Sequence, residues 1–202
     1  LERTSLALAL TGRLPLSGGT ISWSEGDDEP RRISMKRLRA LSSVVDSPDV
    51  TAPEQHMRVH DYVSEMLSYN LPIFGRSRAS RWLAERGLEE LDSLWMDEIS
   101  GEMNIELMAA LAQHSPSDLL VFYTPSRHLN HTYMWLPYLE ELAADEDHPR
   151  TVVAVVPHIS ESWHGARAVV GRVPEENVPA PVEGEIEPSN DSPEHGENAE
   201  KE

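Results

Sequence analysis

Two uninterrupted apolar runs, DLLVFY at 118–123 and TVVAVV at 151–156, constrain the fold more than any other feature of the chain. A strand with one wet face alternates apolar and polar side chains; a short β-branched run without that alternation has protein on both faces. The stretch 134–144 between the runs is rich in helix formers. Strand, helix, strand predicts two parallel neighbours joined by a right-handed crossover, and therefore an α/β fold with a mostly parallel sheet.

The flanking sequence supplies helices for such a sheet. Residues 4–12 (TSLALALTG) read as a helix stopped by Gly12, followed by a Ser-Gly-Gly turn, a short alternating strand at 20–24 and a polar turn at 26–29. The segment 33–41 leads into LSSVVDSPDV, a β-branched strand broken by Pro48. Thr-Ala-Pro-Glu opens a predicted helix over 51–69, with Val59, Val63, Met66 and Leu67 at helical spacing. Further helices are expected at 77–87, 88–97 and 104–114, the last behind the turn Ser100-Gly101.

The net charge of -18 argues against unaided nucleic-acid binding, since phosphate contacts need clustered Lys and Arg. The basic cluster Arg31, Arg32, Lys36, Arg37 and Arg39 reads as a solvated face or as a contact with an acidic partner. With no cysteine, disulfides and thiolate metal sites are excluded. No run of eighteen apolar residues occurs, so no segment reads as a membrane-spanning helix. The tail 173–202 holds nine Glu, one Asp and one Lys among Pro, Gly and Asn, and disorder is expected there.

Taken in order, these segments resemble the ATP-binding domain of ABC (ATP-binding cassette) transporters, a P-loop NTPase, over 3–159. Arg3-Thr4-Ser5 precede LALALTGRLPLSGGTISW as the family's Gly-Lys-Ser/Thr phosphate loop precedes its apolar helix and Ser-Gly-x-Ile strand. Ile99-Ser100-Gly101-Glu102-Met103 is similar to the signature Leu-Ser-Gly-Gly-Gln. Tyr123-Thr124-Pro125, 23 residues after Ser100, stand where the family's strand ends in Asp-Glu-Pro. Ser126-Arg127-His128-Leu129-Asn130 resembles the following Ser-x-Leu-Asp turn, His158 the switch histidine, and Asp46 the Gln after a short strand.

The resemblance implies an ABC ATPase-like domain at 1–172, with a helical subdomain at about 51–98, and ATP and Mg²⁺ as ligands. It places Arg3, Thr4 and Ser5 on the phosphates, with Asp46, Tyr123 and Asn130 nearby. It places Ser100, Gly101 and Glu102 over nucleotide held by a second copy or a related domain, His158 and Thr124 at the catalytic positions, and Thr4 and Asp46 at the metal. It further implies a membrane permease as partner, and a cytoplasmic location against the inner face of the membrane. The chain opens at Leu1 inside a helix already in progress, so the family's Gly-rich loop and first strand are expected upstream.

The departures bear on chemistry. Glu2 stands where the last loop Gly belongs, and Arg3 replaces Lys, exchanging a compact ammonium for a planar fork. Hydrolysis needs one carboxylate toward Mg²⁺ and another toward the attacking water, and Tyr123 and Thr124 supply neither. Weak or lost hydrolysis is therefore expected, and a non-catalytic scaffold paired with a competent partner is the alternative. Outside the resemblance, DLLVFY is a core strand, Ser100-Gly101 a helix start and His158 a strand-end residue. His56 and His60 stand four apart, and His128 and His131 are close in sequence, but no H-E-x-x-H occurs, and no G-x-S-x-G elbow.

Overall fold

The computed structural model describes residues 2–26, 28–70, 79–161 and 163–170. The chain divides into two units, Leu1–Trp163 and His164–Glu202, and the account below concerns the first. The expectation for the tail 173–202 lies outside the described residues.

Both apolar runs are strands of one parallel sheet. β3 (Ser42–Val45), β4 (Leu119–Tyr123) and β5 (Thr151–Val155) lie in that order, with β4 central and parallel to both neighbours. The unbroken apolar character of β4 has a direct cause. Leu120 and Phe122 point into one hydrophobic cluster with Val45, while Leu119 and Val121 point into the other with Val44 and Val155. Each cluster has its own helices. On the first face sit α3 (Val59–Asn70), α4 (Ala79–Ala84), α5 (Gly101–Gln113) and α6 (Thr132–Ala143). On the second sit α1 (Glu2–Leu10), through Ala7, and α2 (Met35–Leu41), through Leu38. Helices on both faces of a parallel sheet are what an all-apolar central strand demands. A two-residue antiparallel ribbon, β1 (Ser22–Trp23) with β2 (Arg31–Arg32), stands apart from this sheet.

Two sequence expectations are corrected by backbone competition. The helix predicted from residue 51 begins at Val59. Pro53 keeps Ala52 out of the helical basin, and the amides of Val50, Thr51 and Ala52 all turn back to the Ser47 carbonyl at 2.9–3.1 Å. The helix expected over 88–97 is reduced to a 3₁₀ turn at Glu89–Leu91. The reason is that 94–96 bond across the chain: Val59 N–H donates to Leu94 O at 3.0 Å and Met96 N–H to Met57 O at 2.9 Å.

Helix α5, which carries the site's Ser100-Gly101 turn at its start, is fixed at both ends. Ser100 Oγ accepts from Met103 N–H at 3.2 Å, an N-cap. At the other end the buried Arg150 guanidinium donates to Ala112 O at 3.1 Å and toward Gln113 O, placing a cation on the negative end of the helix just before β5 begins. His114 follows. Its ring meets Trp82 edge-on at 6.3 Å, and Arg86 stacks over the same indole at 4.1 Å. Burial first, and the Arg86 charge second, hold the His114 imidazole below its ordinary range.

An imidazole that resists protonation when folded leaves the unfolded chain binding the extra proton, so stability is full above the ordinary histidine range and falls as pH drops through it. His114→Phe removes that term: the fall in thermal midpoint between neutral and mildly acid pH is expected to be smaller in the variant, as read by circular dichroism melts.

Candidate functional site

In open parallel sheets, ligands gather at the carboxyl ends of the strands. Here those ends are Asp46 after β3, Tyr123 and Thr124 after β4, and Val155 after β5. Asp46 has φ of 59° and Thr124 of 43°, so two non-glycine residues, one of them β-branched, sit in the left-handed region. Such conformations cost about 1–3 kcal/mol each and persist only where the surroundings over-determine them. Thr124 is held by its amide and its hydroxyl, both donating to Val155 O, at 2.8 and 3.2 Å. Its side chain is buried and spent on the sheet edge.

Asp46 is held by charge. It is 3% exposed, and its carboxylate is bonded by Arg127 on both oxygens and by His128 on one. Arg127 Nη2 reaches Oδ1, and Arg127 Nε reaches Oδ2 at 3.1 Å. His128 Nε2 lies 2.6 Å from Oδ2, so that nitrogen carries the proton between them. The 3.0 Å approach of Arg127 Nε to the same nitrogen then sets two donors side by side, and the Nε–H goes to the carboxylate. A fork on a carboxylate, closed by an imidazole, ties the loop after β3 to the turn after β4.

The same turn is pressed on by α5. A Cβ on Gly101 would lie 2.2 Å from His128 O, so the helix start approaches that carbonyl as closely as only glycine permits. The signature-like turn and the strand-end turn are thus in contact within one chain.

A second grouping forms at the start of α1. The Tyr123 phenol is held below its ordinary range, chiefly by the hydroxyl of Thr4 and further by the charge of Arg3 and the hydroxyl of Thr124, against a smaller upward push from burial. Arg127 lies on the other side, its Cζ 5.9 Å from the Tyr123 ring centroid. The structure therefore brings Arg3, Thr4, Tyr123 and Thr124 together, and sets Asp46 against Arg127. Ser5 is half-buried on α1, Glu102 is exposed in the first turn of α5, and Ser100, Asn130 and His158 are exposed outside helices and strands. Arg127 has no role in the resemblance, and its one sequence signal is the pair of consecutive basic residues Arg127-His128 in the turn after an uncharged strand end. His131 stacks on Tyr133 at 5.4 Å, His56 lies 3.8 Å from Asp97, and His60 bonds Asp92 at 2.9 Å. Among the described residues no group of three or more His, Asp or Glu is placed to hold a metal ion.

Beside these turns opens a cleft of about 1670 Å³ between the end of β3, α3 and α5. Met57, Met66, Met96 and Met108 line it with Tyr62 and Trp95. Tyr62 donates to Thr51 O at 2.9 Å, and burial pushes its phenol up. Asp49, Glu54, Asp61 and Glu65 also lie along the cleft.

No family profile matches the chain, and no curated protein matches it. By structure it is similar to an ABC transporter ATP-binding protein from Pyrococcus furiosus, at 12% identity and a TM-score of 0.52, over 79% of this chain and 74% of that one. A metal-chelate-type ABC transporter in an inward-facing conformation matches at 19% identity and a TM-score of 0.40, over 55% of this chain and 48% of that one. RNase-L inhibitor matches at 15% and 0.41, over 75% and 26%. The first of these likenesses establishes the fold as that of an ABC ATP-binding domain.

The chain's five tyrosines should not titrate together. One phenol is expected to ionise ahead of the rest in a phenolate absorbance titration, and Thr4→Ala should move it back toward the ordinary range. Gly101→Ala is expected to cost about 1–3 kcal/mol, the range for overpacking a filled site, as measured by urea unfolding.

Proposed function

We propose that this chain is an ATP-binding subunit of an ABC-type membrane transport system in which hydrolysis is weak or lost. The observation that carries the reading is the meeting of Arg3 and Thr4, at the start of α1, with Tyr123 at the carboxyl end of the central strand. The ABC ATP-binding fold supports it. Arg3 brings a cation to the carboxyl end of the central strand, the place where open parallel sheets meet a ligand's charge. In this reading Arg3, Thr4 and Ser5 hold phosphate, Asp46, Tyr123 and Asn130 border it, and Ser100, Gly101 and Glu102 close over nucleotide held by a second ABC-type domain, identical or related. His158 and Thr124 take the catalytic positions in name only. A phenol and a buried hydroxyl already donating to Val155 O cannot polarise a water.

Magnesium accompanies ATP in the resemblance, with Thr4 and Asp46 toward it. The donor set fits poorly, because the Asp46 carboxylate is already bonded to a guanidinium and an imidazole. No step is assigned to the metal.

The cleft suits the permease partner. Four methionines and two aromatics make an adaptable apolar bed for a helix of another chain. It opens on the helical part at about 51–98, and a permease there would hold the chain against the inner face of the membrane. The second reading, a scaffold that binds no nucleotide and pairs with a competent domain, is favoured by the same replaced acids at Tyr123 and Thr124.

Calorimetry with Mg-ATP separates the two, followed by phosphate release in the same sample. Binding with slow release is expected. Tyr123→Asp combined with Thr124→Glu is then expected to raise turnover by about tenfold or more, a fraction of what a positioned general base contributes. No heat at millimolar ATP would leave only the scaffold.

A further inference from the structure

The divalent cation that accompanies ATP in this fold meets a site already supplied with a cation of its own. Mg²⁺ takes an octahedron of oxygen atoms, commonly anchored by one or two carboxylates. At the ends of β3 and β4 this chain offers a carboxylate, a phenol and a hydroxyl. The hydroxyl of Thr124 donates to Val155 O at 3.2 Å. The phenol of Tyr123 is a neutral donor beside Arg127, whose Cζ is 5.9 Å from the ring centroid. The Asp46 carboxylate, its side chain 4% exposed, has Arg127 across both oxygens and His128 on one.

We infer that the Arg127 guanidinium, forked on the buried Asp46 carboxylate, is the resident counter-charge of this site, takes the place of a divalent cation, and leaves the site independent of Mg²⁺. That any nucleotide binds at all rests on the function proposed above; the exclusion of metal from Asp46 does not.

Three features carry it. The fork is planar and covers the two oxygens together, leaving no face of the carboxylate open to a metal in the way that one Lys contact would. Arg127 is itself held, since His128 Nε2 closes the same carboxylate and the His128 carbonyl is packed against Gly101. A cation reaching Asp46 must therefore displace a guanidinium that is 29% exposed, and leave its charge beside the incoming metal. Finally, the guanidinium is turned toward the strand end, 5.9 Å from the Tyr123 centroid, with Arg3 near that same phenol. The anchored Arg127 cation thus stands at the strand end, the place where an anion's charge is to be met.

The test uses Mn²⁺ alone, in electron paramagnetic resonance titrations of the full chain without nucleotide. Wild type is expected to leave millimolar Mn²⁺ free. Arg127→Gln uncovers the carboxylate and His128 Nε2 and is expected to bind Mn²⁺; adding Asp46→Asn should abolish that binding. Arg127→Met, which removes the charge and keeps much of the side chain's bulk, replaces Arg127→Gln where circular dichroism shows the latter unfolded. In parallel, calorimetric ATP affinity in EDTA and in Mg²⁺ should differ by less than about fivefold, the lower edge of ordinary coupling between sites. Mn²⁺ bound by wild type and lost in Asp46→Asn overturns the inference. So does a folded Arg127 variant that still binds none, or an ATP affinity that Mg²⁺ raises by more than that margin. Absence of ATP binding brings down the nucleotide reading alone, because the manganese titration contains no nucleotide.

Discussion

Strand β4 has no face of its own toward water, and the rest of the fold answers that fact. Each of its side chains must be covered, and the pleat sends them alternately to two sides. Leu120 and Phe122 need the layer of α3 to α6; Leu119 and Val121 need α1 and α2. Neither layer could be removed without exposing half of a central strand. The backbone pairs on both edges as well, with β3 and β5, so the strand is satisfied in four directions at once. Its carboxyl end is thereby tied to the sheet, with Tyr123 paired to Val155 and the Thr124 amide donating to Val155 O.

Around that end, polar groups are consumed by one another. Thr124 spends its hydroxyl on Val155, and Asp46 is shut between a guanidinium and an imidazole. Catalysis of water attack requires a group with an unspent lone pair aimed at a solvent molecule. The arrangement instead resembles a structural joint, with left-handed backbone at Asp46 and Thr124 as the mark of its tension. Binding an anion asks less, since a fixed positive field needs no free base.

The sheet was legible because burial on both faces writes itself as an absence of polar positions, and the helices near it because their caps and apolar spacing are local. Ser100 before Gly101 predicted a helix start and supplies its cap. The segments 51–58 and 88–97 were misread because their outcome depends on pairing between residues far apart in sequence, Met57 with Met96 and Val59 with Leu94. No local pattern announces such a pairing. Arg127 and Arg150 were passed over for a related reason. A lone arginine reads as surface, and only the fold reveals that one covers a buried carboxylate and the other the last carbonyls of α5.

The contact between Gly101 and the His128 carbonyl bears on how such a chain can drift in evolution. Position 101 is closed to every side chain for as long as the turn after β4 keeps its place, and that turn keeps its place through Asp46. Substitutions at 46, 101, 127 and 128 are therefore not independent trials. A lineage that loses the buried carboxylate loosens the turn and opens 101 to larger residues, whereas one that keeps it inherits the glycine as well, whether or not any ligand is ever bound there. A glycine in a signature-like turn can thus persist as a record of packing long after the chemistry it once served has gone.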